Sequence, residues 1–152
     1  MAEPRDLALT SSVRAVHRIF KGVDTASRRL LKDFGVTGPQ LWALRTIEEA
    51  RGLTTGELAD RLYLHISTVS GILDRLEKNR WVERRRSDAD RRVVRLVVTR
   101  KGRAIIARAP EPPRSVVLRG LRGLDDRALA EMARSLDRLL RIMAADLPAE
   151  DE

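Results

Sequence analysis

The N-terminal part of the 152-residue chain carries one long apolar seam. Apolar or small side chains recur every three or four positions from Leu9 to Phe34, a spacing that places them on one face of an α-helix. Between these ends the seam runs through Val13, Val16, Phe20, Val23, Ser27 and Leu30. The pattern predicts a single long helix over residues 7–34.

Two shorter helices are predicted next, each with a capping signal at its start. Thr37 precedes a helix that is expected to run to about Ala50. In the sequence LTTGEL, Thr54 can cap the following helix, and Glu57 lies three positions on, where its side chain can reach back to complete a capping box. This short helix is expected to end near Leu62.

After a turn at residues 63–66, Ser67 is a candidate cap for a further amphipathic helix. Its predicted core side is Val69, Ile72, Leu73 and Leu76. Its opposite side carries Thr68, Ser70, Gly71, Asp74, Arg75 and Lys78. A short helix, a four-residue turn and a second helix together form the pattern of a helix-turn-helix.

A β-hairpin and two helices are predicted after this motif. The runs WVERRR and RRVVRLVV are rich in β-branched residues and flank residues 87–90, a cluster that favours a turn. Thr99 can cap a helix through Arg108, which the segment 109–113 ends. A final helix from about Asp125 carries Leu129, Met132, Leu136, Leu139 or Leu140, Met143 and Leu147.

These elements predict a mainly α fold with a small β-hairpin wing. We expect one domain over residues 1–152, with a winged helix-turn-helix part at 37–108 flanked by helices at 7–34 and 114–147. Apolar residues make up 43% of the chain but aromatic residues only 3%, which favours helices over a large sheet.

Composition narrows the function classes further. The chain has no cysteine and two well-separated histidines, His17 and His65, so neither a thiolate metal site nor a metal or other cofactor is predicted. No apolar run approaches the roughly 20 residues that span a bilayer, and the N-terminus lacks a signal-peptide layout. We expect a cytoplasmic protein with no membrane partner.

The positive charge is concentrated in one segment. The net charge is +8, and residues 61–103 hold 13 of the 30 Lys and Arg but only 5 of the 22 Asp and Glu. A local excess of this kind attracts a polyanion such as DNA, although a merely solvated basic face would give the same count.

The helix that starts near Ser67 has the composition of a base-reading helix. Ser67, Thr68, Ser70 and Gly71 are small enough for close approach to base edges, while Arg75 and Lys78 follow on the same face, where phosphates would lie. The alternative is an ordinary amphipathic surface helix, because hydroxyl residues are common at helix starts as caps.

The hairpin carries arginines on both sides of its turn. Arg84, Arg85, Arg86, Arg91, Arg92 and Arg95 all lie near it in the sequence. A narrow arginine-bearing hairpin can enter a minor groove or follow the phosphate backbone. Asp90, two residues before Arg92, is placed to orient that guanidinium by a bidentate pair.

The stretch STVSGILDRLEKNRWVERR, followed by SDADRR and LVVTRKG, resembles the MarR family of bacterial transcriptional regulators. The resemblance makes Asp90 and Arg92 the Asp-x-Arg element of the wing, with Arg92 as the minor-groove probe. It assigns Ser67 to Gly71 to base reading, and Leu96, Thr99 and Gly102 to the structural close of the wing. One departure is Arg80, where family members usually carry a glycine, so we expect Asn79 to take the left-handed conformation instead.

The resemblance also implies a homodimer formed by the N- and C-terminal helices, binding a palindromic double-stranded DNA site. A small aromatic or anionic effector is expected between the dimerisation and DNA-binding parts. Candidate wall residues are His17, Arg18, Phe20, Trp42 and Arg45. Residues such as Trp42 and Phe20 belong more often to the core than to a pocket, and a residue such as His17 belongs more often to a surface or an interface.

The sequence therefore predicts a sequence-specific DNA-binding regulator, and the resemblance implies a ligand-responsive repressor. The alternative is a non-specific architectural DNA-binding dimer, which would share the basic segment without reading bases. An enzyme is not expected, because the sequence shows no nucleophile paired with a base and no phosphate-binding glycine loop.

Overall fold

The computed structural model describes residues 3–87 and 90–144, and within them the chain forms seven α-helices and one two-stranded sheet. The elements are α1 Pro4–Phe34, α2 Gly38–Ala50, α3 Thr55–Leu62, α4 Ile66–Lys78, β1 Val82–Arg86, β2 Val94–Val98, α5 Arg100–Arg108, α6 Pro113–Arg122 and α7 Asp126–Met143. The chain divides into two compact units, residues 1–114 and 115–152, and α6 spans the division.

The core of the first unit lies among α2, α3, α4 and the hairpin. Its largest fully buried side chains come from α2, α3, α4, β2, the end of α1 and the link after α1: Leu30, Val36, Leu41, Leu44, Ile47, Leu58, Leu62, Val69, Leu73, Leu76, Leu96 and Val98. Because both strands and all three helices bury side chains in this region, it has the architecture of a winged helix-turn-helix, as predicted.

Two of the predicted helix starts are confirmed in detail. The Thr37 side chain accepts a hydrogen bond from the Gln40 backbone N–H, and the Gln40 side chain in turn accepts one from the Thr37 backbone N–H. Thr54 and Glu57 make the same reciprocal pair at the start of α3. Both boxes satisfy backbone donors that a helix N-terminus otherwise leaves unpaired.

The start of α4 differs from the prediction. The cap is His65 rather than Ser67: its imidazole Nδ1 accepts a hydrogen bond from the Ser67 backbone N–H, and α4 begins at Ile66. The preference of caps for Ser and Thr pointed to the wrong residue, because a histidine ring nitrogen supplies the same acceptor.

The end of α4 also corrects the sequence analysis. Arg80, and not Asn79, takes the left-handed conformation, with φ of 58° against −79° for Asn79. The Trp81 N–H donates to the Leu76 carbonyl and the Arg80 N–H to the Glu77 carbonyl, the paired bonds of a Schellman motif. This bonding places the left-handed residue at position 80 whatever its side chain.

The hairpin is antiparallel and is fastened at its base. The register pairs Val82 with Val98 and Arg84 with Leu96, and the Leu96 N–H donates to the Leu53 carbonyl at 2.7 Å, which ties β2 to the segment between α2 and α3. Gly102, in the first turn of α5, lies so close to the Trp81 carbonyl that a Cβ atom there would overlap it. Thr99 caps α5, as predicted.

The terminal helices differ from the prediction in extent. α1 begins at Pro4, three residues before the predicted start, with the proline in its first turn, where its missing N–H costs no hydrogen bond. α6 is a separate helix that the sequence analysis did not resolve within 114–147. Asp125 caps α7, whereas Leu147 lies outside the described residues.

Both terminal helices expose apolar side chains. Phe20 of α1 and Ile142 of α7 are each 72% exposed, and α7 has no buried residue in the single chain. Within the described part of the chain, no helix is both long enough and apolar enough to cross a membrane. The cytoplasmic location stays a prediction.

Candidate nucleic-acid interface

One face of α4 presents polar side chains to solvent beginning at its first turn. Ser67, Thr68, Gly71, Arg75 and Lys78 are all exposed, as the amphipathic pattern predicted. Val69, Leu73 and Leu76 fix the rotation of the helix, since all three are buried in the core. The face is therefore rigidly presented, with small residues near the N-terminus and cations toward the C-terminus.

Two hydroxyls of this face already have partners in the chain. The Ser70 side chain is half-buried and donates to the Ile66 carbonyl at 2.9 Å, so its hydroxyl hydrogen bonds within α4. Ser67 Oγ lies 2.8 Å from Nδ1 of His65. Thr68, in contrast, is exposed and takes no part in the cap of α4, so its hydroxyl is the one in this turn best placed for an outside partner.

The six arginines of the hairpin fall into two groups. Arg84 pairs with Glu77 of α4, Arg85 with Glu83, and Arg95 with Glu57 and the Gly52 carbonyl. In the described residues the guanidinium groups of Arg86, Arg91 and Arg92 make no hydrogen bond or ion pair. The free positive charge is thus concentrated at the turn end of the wing, and the predicted cluster of six is reduced to three.

Asp90 acts on the backbone rather than on a guanidinium. Its Oδ1 accepts a hydrogen bond from the Arg92 backbone N–H at 2.9 Å, the geometry of an Asx-turn. The predicted bidentate pair with the Arg92 side chain is therefore wrong. The carboxylate shapes the turn that carries Arg92 and leaves its guanidinium exposed to solvent.

The five predicted effector-pocket residues differ in exposure and in the groups that they contact. His17 and Phe20 are exposed on α1, and Trp42 is buried in α2 with the Arg114 guanidinium 4.6 Å from its ring centroid. Arg45 donates to the carbonyls of Ile106 and Ala109, so it neutralises the carbonyl end of α5. The assembly of these residues into one effector-binding wall stays a prediction.

Two open grooves in the first unit are lined by basic side chains. One, of about 540 Å³, is lined by Arg18, Lys21 and Arg29 of α1 and by the segment at Pro110. The other, of about 450 Å³, lies between the start of α2 and the side of α4 and is lined by Gln40, Thr68, Arg75 and Arg114, among others. Of the predicted pocket residues, only Arg18 lines either groove.

Arg114 is a residue that the sequence analysis missed. It lies over Trp42 and lines the groove beside α4, and partial burial lowers the pKa of its guanidinium below the ordinary value without removing its charge at neutral pH. No local pattern marks it, because it follows Pro112 and Pro113 in a segment without periodicity. Only the fold brings it to α2 and α4.

A helix that exposes small polar residues, next to a wing whose arginines are free to bind, is typical of a winged-helix DNA-binding protein. Residues 36–94 match the model of the MarR family. Over 140 residues the chain is 34% identical to the HTH-type transcriptional regulator TtmR of Methylorubrum extorquens. The aligned region covers 89% of this chain and 71% of TtmR. The chain belongs to the MarR family of transcriptional regulators.

Two further likenesses agree with this assignment. The chain is 37% identical over 98 residues to the uncharacterised HTH-type transcriptional regulator YsmB of Bacillus subtilis, covering 64% of this chain and 65% of that protein. A solved MarR family protein from Bacillus stearothermophilus superposes with a TM-score of 0.57 at 28% identity, covering 95% and 99% of the two chains. TtmR and YsmB are both named as transcriptional regulators, in agreement with the prediction that the chain is not an enzyme.

Proposed function

We propose that this protein is a homodimeric repressor that binds a palindromic double-stranded DNA operator with sequence specificity. The observation that carries the proposal is that arginines without partners on the wing occur together with small, exposed residues at the start of α4. Arg86, Arg91 and Arg92 are free at the wing, while Thr68 and Gly71 leave the first turns of α4 open to base edges. Charge alone would not require the second feature.

Dimerisation is supported by the apolar side chains that the single chain leaves exposed. α1 exposes Leu9, Val13 and Phe20, and α7 exposes Leu136 and Leu140. Large exposed apolar faces are typical of interfaces. Two copies related by a two-fold axis would present two α4 helices to successive major grooves, about 34–36 Å apart, which requires a palindromic site.

Repression and a response to an effector complete the proposal. A dimer seated on a promoter blocks other proteins by occupying the DNA. A small aromatic or anionic ligand would suit the two cation-lined grooves, where Arg18 or Arg114 can meet a negative group. A ligand that binds better to a dimer with the wrong spacing of its α4 helices would release DNA.

The experiment is a fluorescence-anisotropy titration of the duplex upstream of the protein's own gene, with a scrambled duplex of equal length beside it. We expect the natural sequence to be preferred and its affinity to fall steeply with salt. Arg92→Ala should weaken specific binding about 10-fold to 100-fold, the range for losing a well-placed arginine contact. Arg122→Ala, which removes an equal charge outside the winged-helix part, should change it little.

Equal affinity for the two duplexes would instead favour a non-specific architectural dimer. That alternative draws on the same three wing arginines, since contacts to phosphates need no base sequence. Failure to bind either duplex would remove this promoter as an operator, and a selection from random duplexes would then decide whether any sequence is preferred.

A further inference from the structure

Arg84 lies on the inner face of the hairpin and not at its tip. The register pairs Arg84 with Leu96, which is buried, and residues directly opposite each other in an antiparallel pair lie on the same face. Val82, two positions earlier on this face, is buried as well. The Arg84 side chain, 38% exposed, is thereby directed back toward the body of the unit.

The guanidinium of Arg84 meets two carboxylates of α4. Its Nε lies 3.1 Å from both carboxylate oxygens of Glu77, and its Nη2 lies 3.8 Å from Oδ1 of Asp74. Glu77 and Asp74 are one helical turn apart near the C-terminal end of α4, so they share a face. One arginine of the wing therefore bridges to the helix that carries the base-reading surface.

We propose that Arg84 is a positioning residue, which locks the wing to α4 so that both reach DNA at a fixed spacing. The proposal rests on the proposed DNA-binding function and assigns Arg84 a role other than contact with a phosphate. The Arg84–Glu77–Asp74 group is called the wing clamp below.

The rest of the hairpin shows why a clamp is needed on this side. An isolated two-stranded hairpin is marginally stable and depends on packing for its orientation. β2 is held by the Leu96–Leu53 backbone bond and by Arg95, which donates to the Gly52 carbonyl at 2.8 Å. β1 is joined to α4 through the wing clamp. Without the wing clamp, β1 would lose this ion pair with α4, and the contacts of β2 with Leu53 and Gly52 would have to hold the hairpin in place.

The clearest test uses the acidic partner, because the two explanations then predict opposite signs. Glu77→Ala removes a negative charge near the DNA, so electrostatics alone would tighten binding. The wing clamp predicts weaker binding instead, by about 3-fold to 10-fold. Glu49→Ala, which removes an exposed carboxylate on α2, is the matched control and should not weaken binding.

A charge exchange provides the second test. Arg84→Glu alone should weaken binding about 10-fold or more, and adding Glu77→Arg should restore most of that loss, because the exchanged pair re-forms the clamp. Because Glu77→Arg also adds positive charge near the DNA, it is measured alone as well. If Arg84 contacts a phosphate directly, Glu77→Arg should tighten binding by a similar factor in the natural protein and beside Arg84→Glu, whereas the wing clamp predicts that it weakens binding in the natural protein and strengthens it only beside Arg84→Glu. Thermal unfolding of each variant checks that the fold is retained.

A third measurement asks whether the clamp acts through the wing. The loss caused by Arg84→Ala should be much smaller in an Arg92→Ala background, and the salt dependence of binding should be unchanged by Arg84→Ala. Tighter binding by Glu77→Ala, no rescue by the exchange, or additive losses with Arg92→Ala would each overturn the proposal. Loss of sequence selectivity in the natural protein would instead defeat the proposed function, so the two failures are distinguishable.

Discussion

Three residues with Cβ atoms hold a left-handed backbone where a helix ends. The φ angles of Arg51, Tyr63 and Arg80 are 48°, 52° and 58°, and these residues follow α2, α3 and α4. Such conformations cost a residue other than glycine about 1–2 kcal/mol. All three side chains are exposed, so burial in the core does not offset that cost.

Replacement of Arg80 by glycine should therefore stabilise the protein. We expect Arg80→Gly to raise the free energy of unfolding by about 0.5–1 kcal/mol, the strain relieved less the extra entropy of the unfolded chain. Urea unfolding followed by circular dichroism measures the change. Asn79→Gly is the control. Because Asn79 has helical angles, this change should lower the free energy of unfolding by a similar amount. A loss of stability in both variants would show that Arg80 is not strained.

The residue scale also shows where sequence reasoning stops. The Thr54 and Glu57 box is predictable because both partners lie within one helical turn. The left-handed position is not predictable from the preference of asparagine for that conformation, because the bond from Trp81 to Leu76 decides which residue adopts it. The wing clamp joins Arg84 to residues seven and ten positions earlier, and it depends on the hairpin register.

At the scale of elements, one carboxylate serves both α3 and the wing. Glu57 Oε2 accepts the Thr54 backbone N–H at 2.7 Å and lies 3.4 Å from Arg95 of β2. The hydrogen bonds from the Thr54 backbone and side chain, with the nearby charges of Arg95 and Arg61, lower the pKa of Glu57 below its ordinary value of 4.5. Folding therefore favours the ionised carboxylate.

This shift fixes the sign of a pH effect. A group whose pKa is lower in the folded state stabilises the fold above its unfolded pKa, and that contribution is lost as pH falls. Below about pH 4.5, stability should decline more steeply for the natural protein than for Glu57→Gln, which retains an acceptor for Thr54 but cannot ionise. Urea unfolding across this range, with Glu49→Gln as control, measures the slopes. Parallel curves for all three proteins would contradict the assignment.

The elements themselves were largely predictable, and the failures have a common cause. Helical spacing and capping residues located α1 to α5 and α7, because those signals are local. α6 begins after a proline-rich segment and buries only Pro113, so it lacks the apolar periodicity that marks a packed helix. The groove beside α4 was not predictable from the sequence, because Arg114 and Trp42 are far apart in the sequence and meet only in the folded chain.

At the scale of the whole molecule, the exposed faces of α1 and α7 matter most. We expect Leu136→Glu to weaken the proposed dimer by at least about 2 kcal/mol, the order of losing one buried leucine in each copy. Size-exclusion chromatography with light scattering across a dilution series would show a shift toward monomer. Arg138→Gln makes the same change in net charge on α7 and should leave the assembly unchanged. A natural protein that is monomeric at every concentration would contradict the dimer.

The contact between Gly102 and the Trp81 carbonyl has a genetic consequence. Every missense change in a glycine codon adds at least a methyl group, and at position 102 that group would overlap a backbone oxygen rather than a movable side chain. Overpacking of this kind typically costs about 1–3 kcal/mol, a large share of an ordinary domain's stability. The base of the wing is thus a place where alleles would be lost through reduced protein abundance, although every side chain facing DNA was intact.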